Sequence, residues 1–226
     1  ASGIFILPKP VKPQKAIWIS IFQMVVFVWF AAKIQFVAGN HSISQFVPWI
    51  PEIGLNIEFL LDGLSMAFAL LITGIGALVF LYAHSYMKGY GSTDKFYFYL
   101  FLFSGAMLGM VLSANLIQLF IFWELTTFLS FFLISFFHEK EEARKAAFQS
   151  LVITFLGGLS LLGGILLLGS VVDSYSLADW IAGSEEIKSS KVYLPGLLLI
   201  LVGVFTKSAQ FRSEERRVGK ECRSRW

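Results

Sequence analysis

The chain has 226 residues, 56% of them hydrophobic and 16% aromatic, with a mean hydropathy of +0.71 and a formal charge of +3. Long apolar runs of this composition exclude a soluble domain and describe an integral membrane protein. The single cysteine, Cys222, excludes a disulfide framework or a cysteine–metal site.

Residues 1–15 read as a cytoplasmic segment with a truncated start. Ala1 stands where an initiator methionine would be, and no secretory signal peptide is visible. The first predicted span is Ala16–Val37. The loop Ala38–Phe59 follows, and its second half alternates Glu52, Gly54, Asn56 and Glu58 with Ile53, Leu55, Ile57 and Phe59. Period two predicts a strand, paired with Ser42–Val47 as a small β-hairpin, with Pro48–Pro51 marking the turn. The second span is Leu60–Tyr86, opened by Asp62, whose carboxylate suits a helix cap rather than an ion ligand.

The third span, Phe96–Ala114, carries Gly105, Gly109 and Ser113 at four-residue spacing, a face that lets another helix approach closely. Asn115 turns the chain into the fourth span, Leu116–Phe137. A charged loop, His138–Lys145, leads to the fifth span, Ala146–Val171, with Gly157, Ser160 and Gly164 along one face. In the polar loop Asp173–Lys191, Ser176–Trp180 reads as a short interfacial helix. The sixth span is Val192–Phe211.

The fold class is therefore all-α, a polytopic bundle of about six transmembrane helices with one small hairpin. It divides into residues 16–114, an N-terminal transmembrane region; 115–211, the start of a translocating domain; and 212–226, a foreign tail. The loops on one side of the bundle hold eight basic residues (Lys9, Lys12, Lys15, Lys88, Lys95, Lys140, Arg144 and Lys145), against Lys33, Lys188 and Lys191 on the other. Positive charge marks the cytoplasmic side, so the hairpin loop and Asp173–Lys191 are expected outside.

The tail, RSEERRVGKECRSRW, holds six of the 18 basic and three of the 15 acidic residues, so the rest of the chain carries twelve of each. RSEE can be encoded as AGA-TCG-GAA-GAG, the opening of a common sequencing adapter. The segment reads as a translated adapter and is set aside from fold reasoning. With it goes the only basic patch that could have suggested nucleic-acid binding.

The chemistry centres on Glu124, the one charge in the fourth span. Burying a carboxylate at that depth costs on the order of 2.5–3.5 kcal/mol on insertion scales. Lys207, in the sixth span, is the partner best placed to offset it. A lysine held in a dry interior can lose its proton, and a nearby carboxylate changes its proton affinity. The pair therefore reads as a proton path. His84 and His138, near the cytoplasmic ends of their spans, are candidates for proton uptake. No phosphate loop, metal cluster or nucleophile motif is visible, so no cofactor is expected.

FLLDGLSMAFALLITGIGALVFLYA, FLFSGAMLGMVLSANLIQLFIFWELTTFLSFFLI and LILVGVFTKSAQF resemble the antiporter-like membrane subunits shared by respiratory complex I and Mrp-type sodium/proton antiporters. The resemblance covers most of Ile43–Phe211. It implies that Glu124 of WEL and Lys207 of TKSAQF form the central proton-handling pair. Complex I subunits tend to carry an arginine and an aspartate where this chain reads Ile153–Gly158, and ITFLGGLSLLGG is similar to the A-type subunit of Mrp antiporters. The resemblance further implies a longer parent protein, a hetero-oligomeric complex in a bacterial-type plasma membrane, and transport of protons and monovalent cations rather than enzymatic catalysis. Two other readings stay open: a proton-pumping subunit of an NADH:quinone-type oxidoreductase, and a purely structural helix bundle.

Overall fold

The structure, a computed structural model, describes residues 14–39, 41–50, 55–87, 93–137 and 141–208. Helix α1 (Gln14–Ala38) leads to an antiparallel pair, β1 (Ile43–Ile50) and β2 (Leu55–Leu61). Helices α2 (Gly63–Tyr86), α3 (Asp94–Leu112) and α4 (Leu116–Ile134) follow, the last extended by a 3-10 turn at Ser135–Phe137. After α5 (Glu141–Val172) come two short helices, α6 (Leu177–Ala182) and α7 (Ser184–Ser189), and then α8 (Tyr193–Lys207). Helices α1 to α5 are long and apolar enough to cross a bilayer.

Their polarity is turned inside out relative to a soluble bundle. On α1, Trp18, Phe22, Val25 and Trp29 form an outward stripe, Trp18 being 68% exposed, while Ser20 and Gln23 are each 3% exposed. On α2, Leu64, Leu71, Ile75, Leu78 and Tyr82 face outward, and Ser65, Ala69, Thr73 and Ala77 face inward. Lipid is as apolar as leucine, so burying leucine gains little there. Close packing and interhelical hydrogen bonds hold the helices together instead. Accordingly, Ser20 Oγ donates to the Ala77 carbonyl at 2.9 Å. Gln23 Nε2 donates to Ser104 Oγ, linking α1 to α3. Gly76 makes room for that amide: a methyl added there would meet Gln23 Nε2 at 2.7 Å.

The helix starts follow local chemistry. Asp62 Oδ1 accepts from Ser65 N at 2.8 Å and Ser65 Oγ accepts from Asp62 N at 2.7 Å, a reciprocal cap for α2. Asn115 Oδ1 accepts from Ile117 N and Gln118 N at the start of α4. Pro195 lies in the first turn of α8, where its missing N–H costs no intrahelical bond. Asp173, at φ 54°, ends α5 in the left-handed conformation that a short polar side chain tolerates.

Three expectations need correction. Pro48 does not mark the turn. It lies inside β1 opposite Asn56, with an irregularity in pairing between Pro48 and Ile50. In a two-stranded ribbon each strand is an edge, so a residue without an N–H can turn its bare side away from the partner. The connection falls at residues 51–54, outside the described residues, and β2 takes Leu60 and Leu61, which apolar character alone places in the second span. Next, the polar loop after α5 holds two short helices rather than one. Last, α8 has 15 residues, about 22 Å at 1.5 Å per residue, and is shorter than the other spans. Residues 209–211 of its expected run, and the tail at 212–226, lie outside the described residues.

One end of the bundle is woven shut by main-chain bonds. Ala114 N donates to the Glu58 carbonyl at 2.9 Å, Leu177 N to Ala114 O at 2.8 Å, and Leu116 N to Tyr175 O at 2.8 Å. Gln118 Oε1 accepts from Glu58 N at 2.7 Å, and Ser176 Oγ donates to Glu58 Oε2 at 3.1 Å. The hairpin and the α5–α8 connection thus lie at the same end, as the alternation of loops requires.

Candidate functional site

The site is built by α4, α5 and α8. Helix α8 lies along α5 through glycines on both. A methyl on Gly164 would meet the Gly196 carbonyl at 2.7 Å, and one on Gly203 would meet the Gly157 carbonyl at 2.8 Å. Ser160 Oγ donates to Leu199 O at 2.9 Å on the same face. The small-residue face expected on α5 is therefore its contact with α8. On α3, Gly109 packs under the Phe122 ring of α4, whereas a methyl on Gly105 would meet nothing within 4 Å.

This packing carries Lys207, the last residue of α8, to the middle of α4. Lys207 Nζ donates to Trp123 O at 3.0 Å, to Thr126 Oγ1 at 2.7 Å and to Thr127 Oγ1 at 2.9 Å. It also stands 4.9 Å from the centre of the Trp123 ring, within range of a cation–π attraction. Trp123, Thr126 and Thr127 occupy positions i, i+3 and i+4, so one face of α4 presents all three oxygens. Both threonines are almost fully buried, and their hydroxyls also donate to Trp123 O, at 2.8 and 3.2 Å.

Glu124 and Lys207 are not paired directly. No hydrogen bond or ion pair joins them among the described residues, although each charge lies within electrostatic reach of the other. Both Glu124 carboxylate oxygens are buried without a hydrogen-bond partner among the described residues. The carboxylate lies against α5 at Gly158, where an added methyl would overlap Oε1, and Gly157 gives the same room to Thr206 of α8. The sequence singled out the two charges but not the lysine's seat. The signal was present: a pair of threonines in an apolar run, one turn after a tryptophan.

His84 lies in the last turn of α2, with Nδ1 buried and without a hydrogen-bond partner among the described residues. Helix α2 packs against α1 and α3, and His84 is not among the groups around Lys207. His138 lies outside the described residues. No group of three or more histidine, cysteine, aspartate or glutamate side chains among the described residues could hold a metal.

Two family models match the chain. The transmembrane model of the NADH:quinone oxidoreductase/Mrp antiporter family covers residues 113–213, and that of the N-terminus of chain 5 of NADH-ubiquinone oxidoreductase (complex I) covers residues 49–97. Among curated proteins, the Na(+)/H(+) antiporter A1 subunit of Staphylococcus haemolyticus is 47% identical over 208 residues, 92% of this chain and 24% of that protein. The A1 subunit of Staphylococcus aureus is 43% identical over 209 residues, again 92% and 24%. Among solved structures, a chain of the Mrp complex of a Dietzia species superposes with a TM-score of 0.70 at 26% identity, over 89% of this chain and 24% of that one. A chain of the membrane-bound sulfane sulfur reductase, an archaeal respiratory complex, gives 0.74 at 19% identity, over 90% and 31%, which speaks for the fold alone. The chain spans about a quarter of the length of the curated relatives it matches. With both family models matched in order along one bundle, it belongs to the antiporter-like membrane subunits of the Mrp antiporter and complex I family.

Proposed function

We propose that this chain is part of a monovalent cation/proton antiporter subunit, of the sodium/proton kind, in which Lys207 carries the proton and Glu124 tunes its affinity through space. It is a multi-pass protein of the bacterial plasma membrane. The observation that carries the reading is the seat of Lys207: an amine at mid-depth in α4, hydrogen-bonded to neutral oxygens only, with a buried carboxylate near but unpaired. A lysine locked to a carboxylate would be a fixed strut. A lysine solvated by neutral groups can give up its proton without breaking an ion pair, and intramembrane ionisable residues are functional by default. The other subunits of a hetero-oligomeric complex, and the lipid bilayer, are the expected partners.

The test is cation-driven collapse of a pH gradient in everted vesicles bearing the complete subunit in its assembled complex. Lys207→Ala and Glu124→Gln should each abolish antiport. Full transport in both variants would overturn the reading and favour a structural bundle. The second reading, a redox-linked proton pump, rests on the complex I family model. It requires proton movement that depends on NADH and quinone, where the antiporter needs only a cation gradient.

A further inference from the structure

The surroundings of Lys207 have a property that goes beyond holding it. An ammonium has three N–H donors, and here each points at one oxygen: Trp123 O, Thr126 Oγ1 and Thr127 Oγ1. A neutral amine has two donors and one lone pair, so one of the three oxygens must then face a group that needs a proton. A carbonyl cannot supply it, because it only accepts. A hydroxyl can, because it both donates and accepts and its hydrogen turns about the C–O bond. In the ammonium state both hydroxyl hydrogens are directed at Trp123 O. When Lys207 releases its proton, either hydroxyl can turn from that carbonyl to the amine's lone pair. Trp123 O keeps its other donors meanwhile, and neither the backbone nor the lysine has to move.

We propose that Thr126 and Thr127 form a two-state cradle that satisfies Lys207 both as ammonium and as amine, and so act as positioning residues for proton release and uptake. This rests on the reading of Lys207 as the proton carrier. A cage of three carbonyls would hold the ammonium and strand the amine, and an apolar cage would do the reverse. Two rotatable hydroxyls and one carbonyl serve both states.

Few other ionisable groups could mimic the effect. On α4 only Glu124 faces this region. Residues 146–172 of α5 include no titratable side chain, and Arg144 and Lys145 are exposed in its first turns. On α8 the other titratable group is Tyr193, at the far end, where α7 brings Glu185, Glu186 and Lys188.

The experiment measures antiport per assembled complex across pH, in vesicles bearing the complete subunit. The variants are Thr126→Val, Thr127→Val, the two serine replacements, and Lys207→Ala. Either valine should slow antiport about tenfold and displace the midpoint of the pH profile by about one unit, the size expected for losing a hydrogen bond to a charged group. Serine should restore both rate and midpoint, since it returns the hydroxyl. A valine variant that fails to assemble is replaced by cysteine, whose thiol is a poor acceptor, and the same displacement is expected. Wild-type profiles in the valine or cysteine variants, with Lys207→Ala inactive, would overturn the cradle and leave the lysine's role standing. Transport that survives Lys207→Ala would overturn both.

Discussion

A methyl group added at Gly158 would overlap Glu124 Oε1, whereas one added at Gly105 would meet nothing within 4 Å, although both glycines sit in apolar spanning helices. Gly158→Ala therefore has to push the Glu124 carboxylate off α5. We expect it to reduce antiport by displacing that carboxylate, at little cost in thermal stability in detergent, because the atoms in the way are the tip of a flexible side chain. Gly105→Ala should leave both unchanged within error. An effect from Gly105→Ala as large as that from Gly158→Ala would contradict the packing described. The contrast was not legible in the sequence, where Gly105 read as a helix-packing position and Gly158 was not singled out as one. What separates them is whether the facing helix offers an aliphatic surface, open space or a charged tip, and only the assembled bundle decides that. Glu124 and Lys207 were legible because an ionisable group in an apolar run is costly wherever it points. Thr126 and Thr127 were not, because a hydroxyl can satisfy itself on its own helix and draws no notice.

At the scale of elements, the long helices were readable from apolar length alone, and the start of α2 from a single capping residue. The α2 cap shows how local that information is, since Asp62 and Ser65 complete it between themselves. Asp62→Ala should cost about 1 kcal/mol, read as a shift in denaturation midpoint. The hydrogen bond from the Ser65 backbone holds the Asp62 carboxyl below the usual carboxylate range. The folded state therefore binds that proton less readily than the unfolded one. Its contribution is full above the ordinary carboxylate value and fades as pH falls through the lower folded-state value. An acid titration of stability should show this loss in the unaltered chain and not in Asp62→Asn. The hairpin was legible as a period-two pattern, but its turn was misplaced. Proline is a reliable signal of turns in sheets with interior strands, and a two-stranded ribbon has none. The short α7 was hidden because Ser184–Ser189 has a single apolar residue, the buried Ile187, and one such residue shows no amphipathic period.

Across the whole molecule, α1, α2 and α3 are tied by Gln23 and Ser20, and α4, α5 and α8 by the glycine faces that carry the lysine. Helix α3 joins the two sets by packing on α4, where Tyr99 stacks on Phe132 at 5.0 Å. At one end they are also joined by the bonds among Glu58, Ala114, Leu116, Tyr175 and Leu177. Backbone groups make most of those bonds, so the join owes little to which side chains stand there. It should survive wide variation in the loops it connects. Deuterium exchange followed amide by amide should find Ala114, in a linking segment, and Leu116 and Leu177, at the first positions of α4 and α6, protected as strongly as helix interiors, although none of the three has an intrahelical acceptor. Rapid exchange at those three would show the connections breathing on their own. If they are as slow as expected, the outer turns act as a clasp: a force applied to the hairpin is handed along the main chain to the first turn of α4, two turns of helix from Trp123, the residue whose carbonyl holds the lysine.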